Sequence, residues 1–373
     1  MSVREIRRYR FKVLTPLHIG NGEKLSSHYD FIVKGDIYFR IDIDRLIENP
    51  MQAQALSRSL ERKDFKIGFF LAERGIQPEK VSQYTCRLEG GTINKKEVNQ
   101  HIRDIHHRPF IPGSSIKGAI RTAVFCYLLR RDIGKLKRAI ELLSKEDNKR
   151  KPKNFDDELM GEVLGKDPHH DLLRLLSVSD STPFAKEWQA IRKVAVSQLN
   201  GKKILDIFVE AVEPKAEGEV EISWNKHLLF RIIQEKKEGK FPLLDGLDGF
   251  DGLLSIIKDY SEKLLERERK VYEGGEYSRV RETIDKLLRE QKNKEKGFLL
   301  PLGWGGGMAT KTVLHLTDDL KLLRDLFKRI GRRKPKFTQV GGKVTFPRTR
   351  RIAYEGNTLS FPLGWVSFEE VEK

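Results

Sequence analysis

Three stretches of the sequence place residues suited to chemistry on an anion. The first is Ile111-Pro112-Gly113-Ser114-Ser115-Ile116-Lys117-Gly118-Ala119-Ile120-Arg121-Thr122. A glycine turn followed by a helix offers unpaired backbone N–H groups and serine hydroxyls, and such a helix start favours negative charge. Lys117 and Arg121 are four residues apart, so they share a helix face. Like charges there repel by a few tenths of a kcal/mol, and a phosphate between them reverses that effect. The same pattern also describes a capped core helix with two solvated cations. It is not a nucleotide-binding P-loop, because Ala119 and Ile120 stand where that motif needs Lys and Ser or Thr.

The second stretch is Gly303-Trp304-Gly305-Gly306-Gly307-Met308-Ala309-Thr310-Lys311. Glycines at this density let a backbone approach a ligand closely and expose successive N–H groups. Trp304 is suited to stacking on a base and Lys311 to pairing with a phosphate. The competing reading is a tight turn with Trp304 in the core. The third stretch, 329–351, holds nine Lys and Arg and no acid. Its cations include Arg332, Arg333, Arg348, Arg350 and Arg351, interleaved with Phe337 and Phe346. Basic grooves with aromatic platforms hold single-stranded nucleic acid.

Histidines supply the remaining candidates. His18 lies in Thr15-Pro16-Leu17-His18-Ile19-Gly20-Asn21-Gly22, where it could act as a general acid or base or touch a phosphate. His106-His107 and His169-His170 read as solvated loop residues before they read as metal ligands. Asp245, Asp248 and Asp251 alternate with glycines, but their spacing is not that of a calcium loop.

The elements that must position these residues mix hairpins with helices. Residues 5–14 alternate as a half-buried strand, and strands 29–34 and 37–42 flank a Gly35-Asp36 hairpin turn. A charged helical region covers 44–74, and a polar loop or short helix covers 90–108. The clearest helix is 114–131, where Ile116, Ile120, Ala123, Val124 and Tyr127 recur at helical spacing, with Pro112 to Ser115 as its cap. Residues 149–153 are expected to be disordered. Strands are expected at 172–179, 204–212 and 217–224. Residues 225–296 read as mostly helical, with 261–296 as a solvated helical pair. A strand at 312–316, a helix at 318–330 and a strand-rich end at 343–368 follow. Pro-Leu-Gly-Trp occurs twice, at 301–304 and 362–365. Steady strand–helix alternation is lacking, so the class is α+β with antiparallel sheets. The expected division is 1–224 and 225–373.

Composition sets the class of partner. The 373 residues carry 71 Lys and Arg against 54 Asp and Glu, a net charge of +17, which points to nucleic acid. Hydrophobic residues at 38 % exclude a wholly disordered chain. Two cysteines supply neither a disulfide framework nor a zinc quartet. The charged start lacks a secretory apolar core, and no stretch is apolar enough for a membrane span. The reading is a cytoplasmic protein without a membrane partner.

With these motifs on the page, the chain resembles the RAMP family of CRISPR effector complexes. The match rests on Thr15 to Gly22, Ile111 to Thr122, Gly303 to Gly307 before Lys311-Thr312, and Val178-Ser179-Asp180-Ser181. Their order and spacing are most similar to a type III-A (Csm) subunit, with the equivalent type III-B (Cmr) subunit as alternative. The resemblance implies RRM-like (ferredoxin-like) modules with helical insertions that bind CRISPR RNA. It implies a non-catalytic role without cofactor, capping the backbone filament near the 3′ end of the guide. The implied partners are CRISPR RNA, the other effector subunits, above all the backbone RAMP subunit, and host nucleases that mature the guide. RNA contacts carry over to Gly113, Ser114, Ser115, Lys117, Arg121, Gly303, Gly305, Gly306 and Lys311. A metal-independent repeat endoribonuclease using His18 or His106/His107 is the rival from another class.

Overall fold

The computed structural model describes residues 4–371 except 90, 92, 94–95, 139–154, 166, 168, 200–201, 237–246, 248, 273–274, 314–315, 317–318, 322, 325–337, 341–342 and 346. Arg332, Arg333, the expected disorder at 149–153, and Asp245 and Asp248 therefore lie outside the described residues.

The first strand, Arg4–Val13, alternates as its sequence requires: Tyr9, Phe11 and Val13 are buried while Arg8, Arg10 and Lys12 face out. It is the middle strand of a five-stranded antiparallel sheet. The order is Gly297–Pro301, Trp365–Glu370, Arg4–Val13, Glu217–Asn225, Leu176–Val178. The helix Gly113–Arg131 falls in chain order between the first strand and Leu176–Val178, and Phe250–Val271 follows Glu217–Asn225. This is the β-α-β-β-α order of a ferredoxin-like module. The place beside the first strand, which that fold gives its fourth strand, is filled by Trp365–Glu370. The sheet is thus continuous across residue 224.

The buried face of this sheet packs on the helices. Ile116, Ile120 and Val124 from one helix, Ile256, Tyr260 and Leu264 from the next, and Phe298 and Phe368 from the sheet share one core. The region 261–296 is therefore not a solvated pair. Helix Ser278–Asn293 buries Val280, Ile284 and Leu287. Ser261 Oγ donates to the Leu299 carbonyl at 2.5 Å, and the Leu299 amide donates to Gln291 Oε1 at 2.8 Å. The dense charges occupy the outer face of an amphipathic pair.

A second sheet of nine strands curls beside the first. It includes two parallel contacts, Ser82–Glu89 with Gln189–Gln198 and Glu97–His101 with Lys203–Val212, within an otherwise antiparallel set. The strand Glu97–His101 lies inside the expected polar loop, and Gln189–Gln198 has no counterpart among the expected strands. Residues 172–175 form a 3-10 turn, leaving only Leu176–Val178 as strand. The charged region 43–73 is three short helices, broken at Asn49-Pro50 and around Asp64. The described residues of 312–316 form no strand.

Candidate nucleic-acid interface

The two Pro-Leu-Gly-Trp segments meet at one place, on the turn that carries His18. The Leu302 amide donates to the Gly364 carbonyl at 2.7 Å, the Gly364 amide to the Pro16 carbonyl at 3.0 Å, and the Trp304 amide to the His18 carbonyl at 2.8 Å. The Trp365 amide donates to Thr15 Oγ1 at 2.9 Å. Gly303 and Gly364 have φ of +72° and +85°. A Cβ on either would lie 2.2 Å from the His18 carbonyl oxygen or 2.1 Å from that of Leu302. Only glycine fits both demands.

The glycine run is consequently packed more than open. A Cβ at Gly305 would strike Leu363, and one at Gly306 would strike Thr310, whereas Gly307 meets nothing within 4 Å. Trp304 is half-buried. Its ring takes the edge of His18 at 5.8 Å between centroids, and the Arg351 guanidinium lies 4.1 Å from its centroid. Arg351 also donates to the Trp304 carbonyl at 3.0 Å. Burial lowers the pKa of Arg351, and burial and then the Arg351 charge lower that of exposed Lys311. No carboxylate pairs with either cation among the described residues. A half-buried guanidinium whose charge disfavours that of the neighbouring ammonium makes a place where an anion is stabilised.

The other basic candidates are differently placed. Arg350 is buried and grips Glu268 with two hydrogen bonds of 2.7 and 3.0 Å. Arg348 is half-buried, with its Nε lacking a protein partner. At the helix start, Pro112 is the N-cap and brings no side-chain bond. The Asp180 carboxylate accepts from the Gly113 amide at 2.8 Å instead, so negative charge already sits on the helix terminus. The expected serine cap is replaced by this tertiary one. Lys117 donates to the Leu176 carbonyl at 2.8 Å, and burial lowers its pKa. Arg121 pairs with Asp171. Ser114 is exposed, Ser115 is half-buried, and Gly118 leaves an open patch.

His18 is 3 % exposed. Its Nδ1–H donates to the Glu210 carbonyl at 2.7 Å, and burial holds its pKa below the ordinary histidine value. Beneath it lies a buried network missed by sequence reasoning. Glu210 accepts from Arg103 at 2.8 Å, from Tyr84 at 2.8 Å and from the His101 amide at 3.1 Å. Arg103 also donates to Gln189 at 2.6 Å and lies 3.6 Å from the centre of the Tyr84 ring. His101 Nδ1 accepts from the Ile19 amide at 3.1 Å, and burial pushes its pKa well down. The signal was Glu210, an acid set among the apolar residues Phe208, Val209, Ala211 and Val212, which burial obliges to find a partner. These groups fix the His18 turn and are closed to a macromolecular substrate. His106 and His107 belong to an exposed turn held by Asp104, and His170 bonds Asp167.

Among the described residues, the outward face of the five-stranded sheet offers no aromatic platform. Arg8 faces Glu221, Arg10 faces Glu219 and Lys12 faces Glu217 across strands. Among the described residues, no helix is long and apolar enough to cross a membrane.

Residues 10–346 match the RAMP superfamily, and the chain belongs to that superfamily. Within it, the chain is 25 % identical over 97 % of its length to the CRISPR system Cms protein Csm5 of Methanocaldococcus jannaschii, covering 88 % of that protein. It is 30 % identical to Csm5 of Streptococcus thermophilus over 62 % of this chain and 68 % of that one. Among solved structures, 98 % of the chain superposes on all of a chain in a type III-A Csm–crRNA–target RNA ternary complex, with TM-score 0.73 and 27 % identity. The crystal structure of T. onnurineus Csm5 follows, with TM-score 0.67 and 25 % identity over 96 % of this chain and 99 % of that one.

Proposed function

We propose that the chain is a CRISPR RNA-binding subunit of a type III-A Csm effector complex. It acts without catalysis, caps the backbone filament near the 3′ end of the guide, and supports guide maturation and interference. CRISPR RNA and the backbone RAMP subunit are its partners, and nucleases are recruited from the host. The observation that carries this reading is the likeness over nearly the whole chain to a subunit inside a Csm–crRNA–target RNA complex.

In this reading Lys311 and Arg351 hold a phosphate, with Trp304 positioning Arg351. Gly307, Arg348, Ser114, Ser115, Lys117 and Arg121 line the RNA path, and Arg332 and Arg333 add charge. Gly113, Gly303, Gly305, Gly306, Arg350 and His18 shape the backbone behind it. Guide sequence is then read by base pairing, since contacts to phosphate carry no sequence information. The burial of His18 speaks against the endoribonuclease alternative, because a general base must reach the proton it takes.

The test incubates the protein with end-labelled CRISPR RNA, with and without Mg²⁺, and resolves it on native and denaturing gels. A shifted, intact RNA is expected. Discrete shorter products that disappear on replacing His106 and His107 would overturn the non-catalytic assignment.

A further inference from the structure

Among the described residues, the nine-stranded sheet ends at the strand Phe31–Lys34, which pairs with Ile37–Ile41 alone. Gly35-Asp36 closes a two-residue turn, with Lys34 opposite Ile37. The Ile41 amide donates to the Asp30 carbonyl at 2.9 Å. In an antiparallel ladder, hydrogen-bonded and non-bonded pairs alternate. Residues 30, 32 and 34 therefore bond inward, and the N–H and C=O groups of Phe31 and Val33 point away from the sheet. Native proteins commonly cover or charge such an edge.

This edge borders a groove of about 690 Å³ between the strand, the helix Ile67–Glu73 and the residues Ile93 and Lys96. Ile32, Leu71, Ala72, Ile76, Pro78 and Ile93 give it apolar walls. Phe69, 62 % exposed, stands at its rim. Lys34, Lys66 and Lys96 also line it, and among the described residues no carboxylate does. Lys34 has Glu79 nearby at 3.7 Å, outside the lining, while Lys66 lies 5.2 Å from the Phe69 ring centre. The groove combines an open strand edge, apolar walls and positive charge, of which Lys66 and Lys96 have no carboxylate partner among the described residues.

We propose that this groove docks an extended acidic segment of a partner protein, which adds as a further strand along Phe31–Lys34. Main-chain hydrogen bonds to Phe31 and Val33 supply the pairing, and alternate side chains divide between the apolar walls and the lysines. A protein segment fits better than RNA. The edge presents acceptors as well as donors, and a phosphate backbone has no use for the carbonyls of Phe31 and Val33. The partner's signature is acidic residues alternating with β-branched apolar ones. This site is independent of the Lys311–Arg351 pair.

The experiment uses the full chain and a fluorescent peptide alternating glutamate with valine, read by anisotropy. Saturable binding that weakens with salt is expected. Val33→Pro should reduce affinity at least tenfold. Proline is tolerated on an edge strand where its missing N–H faces outward, so the sheet survives. K66E/K96E, two exposed positions, should reduce it at least tenfold without altering the far-ultraviolet circular dichroism. Absence of binding would overturn the proposal, as would equal affinity for Val33→Pro. Preferential occupation of the groove by oligouridylate, abolished in K66E/K96E but kept in Val33→Pro, would assign the site to RNA instead.

Discussion

At the scale of single residues, the candidate interface depends on which charges are already neutralised within the protein. Arg103 is paired with Glu210, and side-chain exposures of 6 % and 1 % make this a fully desolvated pair. Removing one member of such a pair leaves the other uncompensated, at a cost of about 3–5 kcal/mol. Glu210→Ala should lower unfolding free energy by that amount, measured by urea denaturation. Lys311 and Arg351 have no such carboxylate among the described residues. Lys311→Ala with Arg351→Ala should weaken RNA binding and flatten its dependence on salt, by about 0.7 in log–log slope for each phosphate no longer neutralised. Affinity titrations between low and physiological salt read this directly. An unchanged slope would remove these two residues from the interface.

At the scale of elements, glycine chemistry separates turn from surface. Gly303→Ala combines a left-handed φ with a carbonyl 2.2 Å from the new Cβ. The left-handed conformation alone costs about 1–2 kcal/mol, and the collision adds to it, so thermal denaturation should show a loss above about 2 kcal/mol. Gly118 lies on the open side of its helix with nothing within 4 Å. Gly118→Ala should raise stability by about 0.5–1 kcal/mol. The same contrast explains what was legible. The helix Gly113–Arg131, the Gly35-Asp36 hairpin and the first strand declare themselves by periodicity and turn residues. The antiparallel α+β class follows from their order. The family markers were visible as motifs, and two of them, Thr15 to Gly22 and Gly303 to Gly307, meet at the His18 turn together with the second Pro-Leu-Gly-Trp segment. What was hidden depends on distant partners. Asp180 caps a helix 67 residues upstream of it, and no local pattern reports that. Gln189–Gln198 escaped because it is buried along almost its whole length, so its period of two is muted. The glycine run resembles an open nest because sequence does not show Leu363 and Thr310 packed against it.

At the scale of the whole molecule, two buried histidines link stability to pH. His18 and His101 both have folded pKa values below the ordinary 6.5, with burial as the first cause. The unfolded chain therefore binds more protons than the folded one once pH falls below about 6.5. Their contribution is intact above that value and is lost as pH falls through the lowered folded values. The melting temperature should decline from pH 7.5 to 5.5, a window above the ordinary carboxylate range. His101→Gln should flatten the decline, and an equal slope in both proteins would assign the acid sensitivity to other groups.

The pairing of Tyr9 with Glu370 has a consequence for the newborn chain. About 360 residues of chain separate the central strand of the sheet from one of its two neighbours. At roughly 5–20 residues per second, on the order of tens of seconds separate them on the ribosome. Throughout that interval the apolar side of the first strand lacks the closing strand. A polypeptide interrupted before residue 365 cannot finish the module, and its exposed core marks it for chaperones and proteases. The topology thus withholds a completed module until the closing strand has been made.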